Sequence, residues 1–459
     1  MPTKTWTLAS FVEDVEKRDP KSVIRIKREI SPKYEIQAIV KEFEHKSPIL
    51  IFEKVKGHSE FTVITNVFAE RERFALALDT DVQNLHKEWM KREKNLIKPK
   101  MVNYAPVKEV VLTGNEVDLY RFPIITHFEQ DAGPYITSGI LVAKDPETGI
   151  RNASFHRLQL KGKDKLGVSL HSRRHLWIYQ KKAEEKGEPL EVAVVIGAHP
   201  TFALGGIWKG PIDVDEYEVI GGFMGEPLPV TNCETIALEV PAYAEIVLEG
   251  EILPNTREPE GPFSEFTGYA STRSTQHVLK IKGILSRKNP LYQDISAGFT
   301  KEHLLLLAVP QEIGAYQAIK SAVPSVKAVS YPISGACRFH CYISIKKSAE
   351  GEAKNAIFAA LGNDLSLKLV IVVDDDINVF NESEVLWACA TRMQGDEDIL
   401  IMPNCMGAIL DPSNKDGITA KVGIDATKPL DWTAKKLTLP QEAIDKAKEI
   451  LNLWEGGSC

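Results

Sequence analysis

Cysteine is scarce in this chain, with six in 459 residues, at positions 233, 337, 341, 389, 405 and 459 and without paired spacing. That scatter excludes a disulfide framework. The opening residues, MPTKTWTLASF, lack the apolar core of a secretory leader, and no apolar run approaches the length of a bilayer span. We expect a soluble protein of a reducing cytoplasm. Positive charge is not in excess either: 56 Lys and Arg stand against 63 Asp and Glu, a net of −7, which argues against a nucleic-acid partner or a basic membrane-facing patch. GxGxxG and Walker patterns are missing, so neither a Rossmann-bound dinucleotide nor a P-loop nucleotide is expected. Cys337-Arg338-Phe339-His340-Cys341 offers half of a zinc site with no second half, and its thiols read as core.

What is present is a globular composition, 43% hydrophobic, in a chain long enough for two or three domains. An amphipathic helix is expected over residues 8–18, capped by Ser10, then strands over 22–26 and 48–53, a helix between them over 35–43, and a longer helix over 69–89. Residues 1–105 thus read as a small α/β domain. From Val107 to about Thr300 strand follows strand (109–112, 135–143, 153–160, 191–196, 243–248, 277–285), and Asp145-Pro146-Glu147-Thr148-Gly149 predicts a hairpin between the second and third. Residues 106–300 therefore suggest a barrel-like β domain. Residues 301–459 return to alternation, with helices over 301–307, 352–361 and 383–391 and strands over 327–329, 341–345 and 368–373. A last helix, opened by Thr438 and Pro440, carries Ala443, Ile444, Ala447, Ile450, Leu451 and Trp454 as a wide apolar stripe. It suits docking on another domain or subunit, or packing within the monomer.

The chemistry centres on Glu260-Gly261-Pro262-Phe263-Ser264-Glu265. A Gly-Pro pair forbids regular helix there, so both carboxylates can face one cavity from an irregular turn. Two such groups need a cation to keep one ionised while the other holds a proton, and Arg157 is the candidate. Solvated loop acids and a strand-surface arginine are the plainer reading. Asn152, His175 and Glu216 form a mixed oxygen and nitrogen ligand set suited to manganese or magnesium, although an ordinary structural histidine would look the same. Arg157, Arg173 and Arg174, with Thr137 and backbone amides, suit a phosphate, and Gly205-Gly206 permits close approach of a bound group. Glu302-His303 could line a pocket or face solvent, and Asp374-Asp375-Asp376 reads as a solvated turn.

Several segments then match a known pattern in order and spacing: Gly133-Pro134-Tyr135-Ile136-Thr137, Lys144 through Gly149, Asn152 through Arg157, His199-Pro200, Val240-Pro241-Ala242 with the stretch 244–250, and Pro259-Glu260-Gly261-Pro262-Phe263. The chain resembles the UbiD family of (de)carboxylases. The resemblance covers the central region and continues more loosely beyond it. It implies a central split β-barrel, flavin-reductase-like, between two α/β domains, and a prenylated FMN cofactor delivered by a flavin prenyltransferase. It implies Mn2+ (or Mg2+) on Asn152, His175 and Glu216, K+ near Gly205, and Thr137, Ser154, Arg157 and Arg174 along the cofactor. It implies a catalytic network of Arg157, Glu260 and Glu265. No lysine matches the one that reaches the phosphate in some members.

Loss of carbon dioxide leaves a carbanion that no ordinary side chain stabilises, so an electron-sink cofactor suits the acids found. The expectation is reversible decarboxylation of an aromatic, heteroaromatic or α,β-unsaturated acid by a homodimer or larger assembly, with Glu265 as proton donor. A non-catalytic flavin-binding subunit and a metal-dependent hydrolase are the rivals.

Overall fold

The computed structural model describes residues 5–170 and 174–455, with side chains described to residue 451. Arg173 therefore lies outside the described residues.

The first helix, Leu8–Arg18, buries Leu8, Phe11, Val12 and Val15, the stripe its spacing foretells. Its cap is Thr7, with Ser10 as the reciprocal partner three positions on, which corrects the expected Ser10 cap. Strands Val23–Ile26, Ile49–Phe52 and Thr62–Thr65 form a sheet completed by Leu291–Gln293 from far along the chain. The expected helix over 69–89 is two, Arg71–Ala77 and Leu85–Arg92, parted by a turn in which Asp79 has φ 50°.

The middle of the chain is dominated by a nine-stranded antiparallel sheet. Its path runs Tyr135–Ile136, Leu158–Gly162, Lys165–Val168, Ser274–Ser286, Ile246–Glu260, Leu190–Ile196, Ile140–Lys144, Arg151–Phe155, with Val110–Thr113 on the flank of Ser274–Ser286. No ladder among the described residues joins the two ends of that path. The hairpin at residues 145–149 is present, pairing Ile140–Lys144 with Arg151–Phe155. Two expected strands are each broken in the middle, and Arg157 falls in one of those breaks, between Arg151–Phe155 and Leu158–Gly162. Three helices went unread in this region, His175–Glu185, Pro200–Ile207 and Glu216–Met224. They cover the sheet and carry His175 and Glu216.

Beyond Thr300 a helix of 22 residues, Lys301–Ala322, runs through Pro310 rather than stopping at Leu307. A five-stranded sheet follows, in the order Val326–Ser330, His340–Ile345, Leu369–Asp374, Ile418–Ala426, Ile399–Met406, with helices Glu352–Asn363 and Glu382–Arg392. One apolar core runs through all three parts, from Leu8 through Val195 and Leu304 to Val372. In the terminal helix, Gln441–Glu455, Ile450 and Leu451 are exposed. No helix among the described residues is long and apolar enough to cross a membrane.

Candidate active site

Arg157 reaches from its strand break to both glutamates. Its Nε and Nη2 donate to Glu260 Oε1 and Oε2 at 3.0 and 2.9 Å, and its Nη1 donates to Glu265 Oε1. The fork geometry of a guanidinium makes this possible; an ammonium has no such pair of parallel donors. Glu260 is wholly buried at the end of the long strand Ile246–Glu260, and Glu265 is 8% exposed. The Phe263 ring lies 5.0 Å under the guanidinium, and Tyr135 packs on Phe263 at 4.6 Å. This is a converged site, not a solvated loop.

The loop between the two acids is held by its backbone. Gly261 sits at φ +86°, where a side chain would be strained, and Gly261-Pro262 is cis. Ser264 N donates to Asp131 at 2.8 Å, Glu265 N to Tyr269 O at 3.0 Å, and Ser271 N to Phe263 O at 2.8 Å. Burial raises the Glu265 carboxyl above the ordinary range, Arg157 opposes that, and the Glu260 charge adds to it. Burial works against the Arg157 charge, but its bonds to Glu260 and the charge of Glu265 more than offset it. Tyr135 is pushed up by burial and then by Glu260. One carboxyl biased toward its acid form, beside another gripped by two guanidinium bonds, is the division of roles that proton transfer requires.

The second predicted group also converges. Asn152 Nδ2 donates to Glu216 Oε1 at 2.9 Å, and His175 Nδ1 lies 3.5 Å from the same oxygen. Helix starts place them: His175 and Glu216 are each first in their helices, and Asp215 caps the second by accepting from Tyr217 N. Glu216 is 3% exposed, raised by burial, and its Oε2 is buried without a hydrogen-bond partner. A buried carboxylate oxygen with nothing to bind suits a cation-ligating role, so the donor set fits a hard divalent ion. No group of three or more His, Cys, Asp or Glu side chains gathers among the described residues, and this set reaches three only by counting Asn152. Ser154 Oγ donates to Asn152 Oδ1 at 2.9 Å and lies 3.0 Å from His156 Nε2, so it braces the Asn.

Other expectations are modified. The Thr137 hydroxyl donates inward to Asp294 at 2.9 Å and accepts from Ile295 N at 3.2 Å, so it is not a spare donor for a phosphate. Asp294 also accepts from His127 Nε2 at 3.1 Å, a buried pair that the sequence reading passed over. Gly205 faces Ile220 of the neighbouring helix, where a Cβ would lie 2.2 Å from a side-chain carbon; the missing side chain serves helix packing. Its carbonyl accepts from Trp208 N at 3.2 Å. Glu302 is fully buried and does not face solvent: it accepts from Asn66 N, Phe68 N and Thr65 Oγ1, tying the first sheet to the long helix. His303 does meet the acid loop, edge-on to Phe266 at 6.5 Å. Asp374 and Asp376 pair with Arg392, away from the site. Cys337 and Cys341 are buried, as core thiols should be.

Three models of the 3-octaprenyl-4-hydroxybenzoate carboxy-lyase family match the chain: its N-terminal domain over residues 16–93, its Rift-related domain over 100–299 and its C-terminal domain over 304–426. The chain belongs to the UbiD family. It is a carboxy-lyase with a mixed α/β fold of the UbiD class. An anhydromevalonate phosphate decarboxylase of Methanothermobacter thermautotrophicus is 42% identical over 88% of this chain and 94% of its own length. Among solved structures, the UbiD-class enzyme HmfF of Pelotomaculum thermopropionicum in complex with FMN is 41% identical, with TM-score 0.92 over 96% of this UbiD chain and 98% of that one. An evolved dimeric form of HmfF in complex with prFMN is 39% identical with TM-score 0.89, over 96% and 98% of the two chains.

Proposed function

We propose that this UbiD chain catalyses reversible, non-oxidative decarboxylation of an aromatic, heteroaromatic or α,β-unsaturated acid, with Glu265 as proton donor. The observation that carries the proposal is the single guanidinium shared by two acids, one fully buried and one biased toward its neutral form. A scaffold or assembly subunit has no use for that arrangement.

A bound prenylated FMN would supply the electron sink that loss of carbon dioxide requires, with the central domain read as a split, flavin-reductase-like barrel. Asn152, His175 and Glu216 would hold Mn2+ (or Mg2+), Arg174 would offer a further cation to the cofactor, and the backbone near Gly205 would help hold K+. Arg157 binds Glu265 through Oε1, which leaves the other carboxyl oxygen to carry the proton. Glu260 keeps the guanidinium in plane through its two-point grip, so Arg157 cannot turn away as the proton moves. Phe263 closes one face of the guanidinium against water. In decarboxylation Glu265 gives its proton to the carbon that lost carbon dioxide, and in carboxylation it takes that proton back.

The test is to co-express the chain with a flavin prenyltransferase, record the visible spectrum, and assay carbon dioxide release from a panel of the three acid classes. Cofactor-dependent release is the expected result. Equal release by flavin-free protein, or bound cofactor with no turnover on any acid, contradicts the proposal.

A further inference from the structure

Two cations near the acid loop, Lys209 and Arg338, have no role in the chemistry above. Lys209 follows the helix Pro200–Ile207, and Arg338 lies in the turn before strand His340–Ile345. Arg174, assigned above to the cofactor, lies near enough for its charge to act on Lys209, whose ammonium burial and then Arg338 pull down to about 7. None of the three forms an ion pair among the described residues.

Lys209 Nζ donates to the neutral amide of Gln311, and Arg338 Nη2 donates to Ser366 Oγ at 3.2 Å. The nearest acid, Asp364, is set one layer back. It is 6% exposed and accepts from Gln311 Nε2, and from Ser366 N at 2.9 Å. Arg338 offsets the recessed carboxylate, and an anion bound beside Lys209 would favour its charged form. Lys209 is exposed to solvent, so its ammonium is accessible to a ligand.

The cluster also touches the proton donor's loop. Phe339, next to Arg338, packs its ring 5.7 Å from Phe266, the residue after Glu265. The long helix that supplies Gln311 also supplies His303, on the same Phe266. The departing carboxylate is a poor occupant, because cations that hold it stabilise the ground state and oppose release of a neutral molecule.

On the decarboxylase reading above, we infer that Lys209 and Arg338, backed by Gln311 and Asp364, seat a second anionic group, a carboxylate or a phosphate monoester, at the far end of the substrate acid. The enzyme thereby selects acids with two anionic groups, and the two cations are specificity residues for its reaction.

The experiment uses cofactor-loaded wild-type enzyme, Lys209→Gln and Arg338→Gln, with circular dichroism to check the fold of each. The probes are a dicarboxylic acid, a terminally phosphorylated unsaturated acid, and matched acids whose far end is a neutral alcohol. Binding is read by calorimetry and turnover by carbon dioxide release. Wild type should bind at least one dianionic probe ten-fold or more tighter than its neutral match. Each variant should lose that preference while its visible cofactor spectrum stays at wild-type intensity, and the probe that shows the preference tells carboxylate from phosphate. No preference in wild type, or a preference unchanged in both variants, overturns the inference. Loss of bound cofactor in the variants also overturns it, by assigning the cations to the cofactor phosphate. Preferential binding without turnover leaves the seat standing and sinks the decarboxylase reading, so the two failures are distinct.

Discussion

Replacing Arg157 by Gln should expose how the two acids depend on it. The substitution removes three charge-assisted hydrogen bonds and the contact with Phe263, and it leaves a fully buried Glu260 facing a partly buried Glu265. Removing one partner of a buried pair typically costs ~3–5 kcal/mol, because the other charge stays desolvated; the lost ring contact adds ~0.5–1 kcal/mol. The abandoned carboxylates can escape by taking up protons, which raises their folded-state pKa values above the unfolded ones. A raised carboxyl contributes stability at low pH and loses it as pH rises. The loss should therefore be near 4 kcal/mol at pH 8 and clearly smaller at pH 5, a difference that ~1.4 kcal/mol per unit of pKa shift readily supplies. Urea midpoints of wild type and variant at the two pH values measure it. A loss under ~1 kcal/mol and equal at both would refute the reasoning, since that is how an exposed pair behaves.

His175→Ala should leave the fold intact but lower both bound manganese and retained cofactor, measured by elemental analysis and visible absorbance; full cofactor occupancy in metal-depleted protein would remove His175 from the ligand set. Glu245 offers a second pH test: it is 1% exposed, its carboxyl is pushed up to about 7 by burial, and its Oε1 has no hydrogen-bond partner, with Arg287 Nε 3.7 Å away. A carboxyl raised in this way contributes stability below the unfolded value and loses it as pH rises through about 7. Glu245→Gln should therefore be the more stable protein at pH 8, by up to ~3 kcal/mol, with little gain at pH 5. Melting temperatures at the two pH values decide, and a variant less stable than wild type at pH 8 would contradict it.

The sequence disclosed the triad because its parts have local causes. Gly261-Pro262 breaks the long strand at Glu260 and turns the chain so that Glu265 returns to the same guanidinium, and that break is written in two adjacent residues. The hairpin at 145–149 was equally plain, from its Pro and Gly. Elements whose causes are distant were harder. Pro200–Ile207 and Glu216–Met224 are nearly all buried, so they lack the polar face that marks a helix, and two glycines in each further disguise them. Lys301–Ala322 carries an internal proline that reads as a stop, yet the surrounding core holds the helix through it. Strands Ile399–Met406 and Ile418–Ala426 went unread, the first being largely exposed. Lys209, Gln311, Arg338 and Asp364 come from segments of chain that only the tertiary fold assembles, and no spacing rule announces them. Thr137 and Gly205 were read from residue type and from the family resemblance, and neither signal announces that the Thr137 hydroxyl donates to Asp294 or that Ile220 packs on Gly205.

The most direct test of the central claim is proton exchange in deuterated water by the cofactor-loaded Glu265→Gln variant. Wild type should place solvent deuterium on the carbon that bore the carboxyl group. The variant should keep the cofactor's visible spectrum and lose that incorporation by ~100-fold or more, the scale of general acid–base catalysis. Deuterium incorporation at the wild-type rate would show that another group carries the proton.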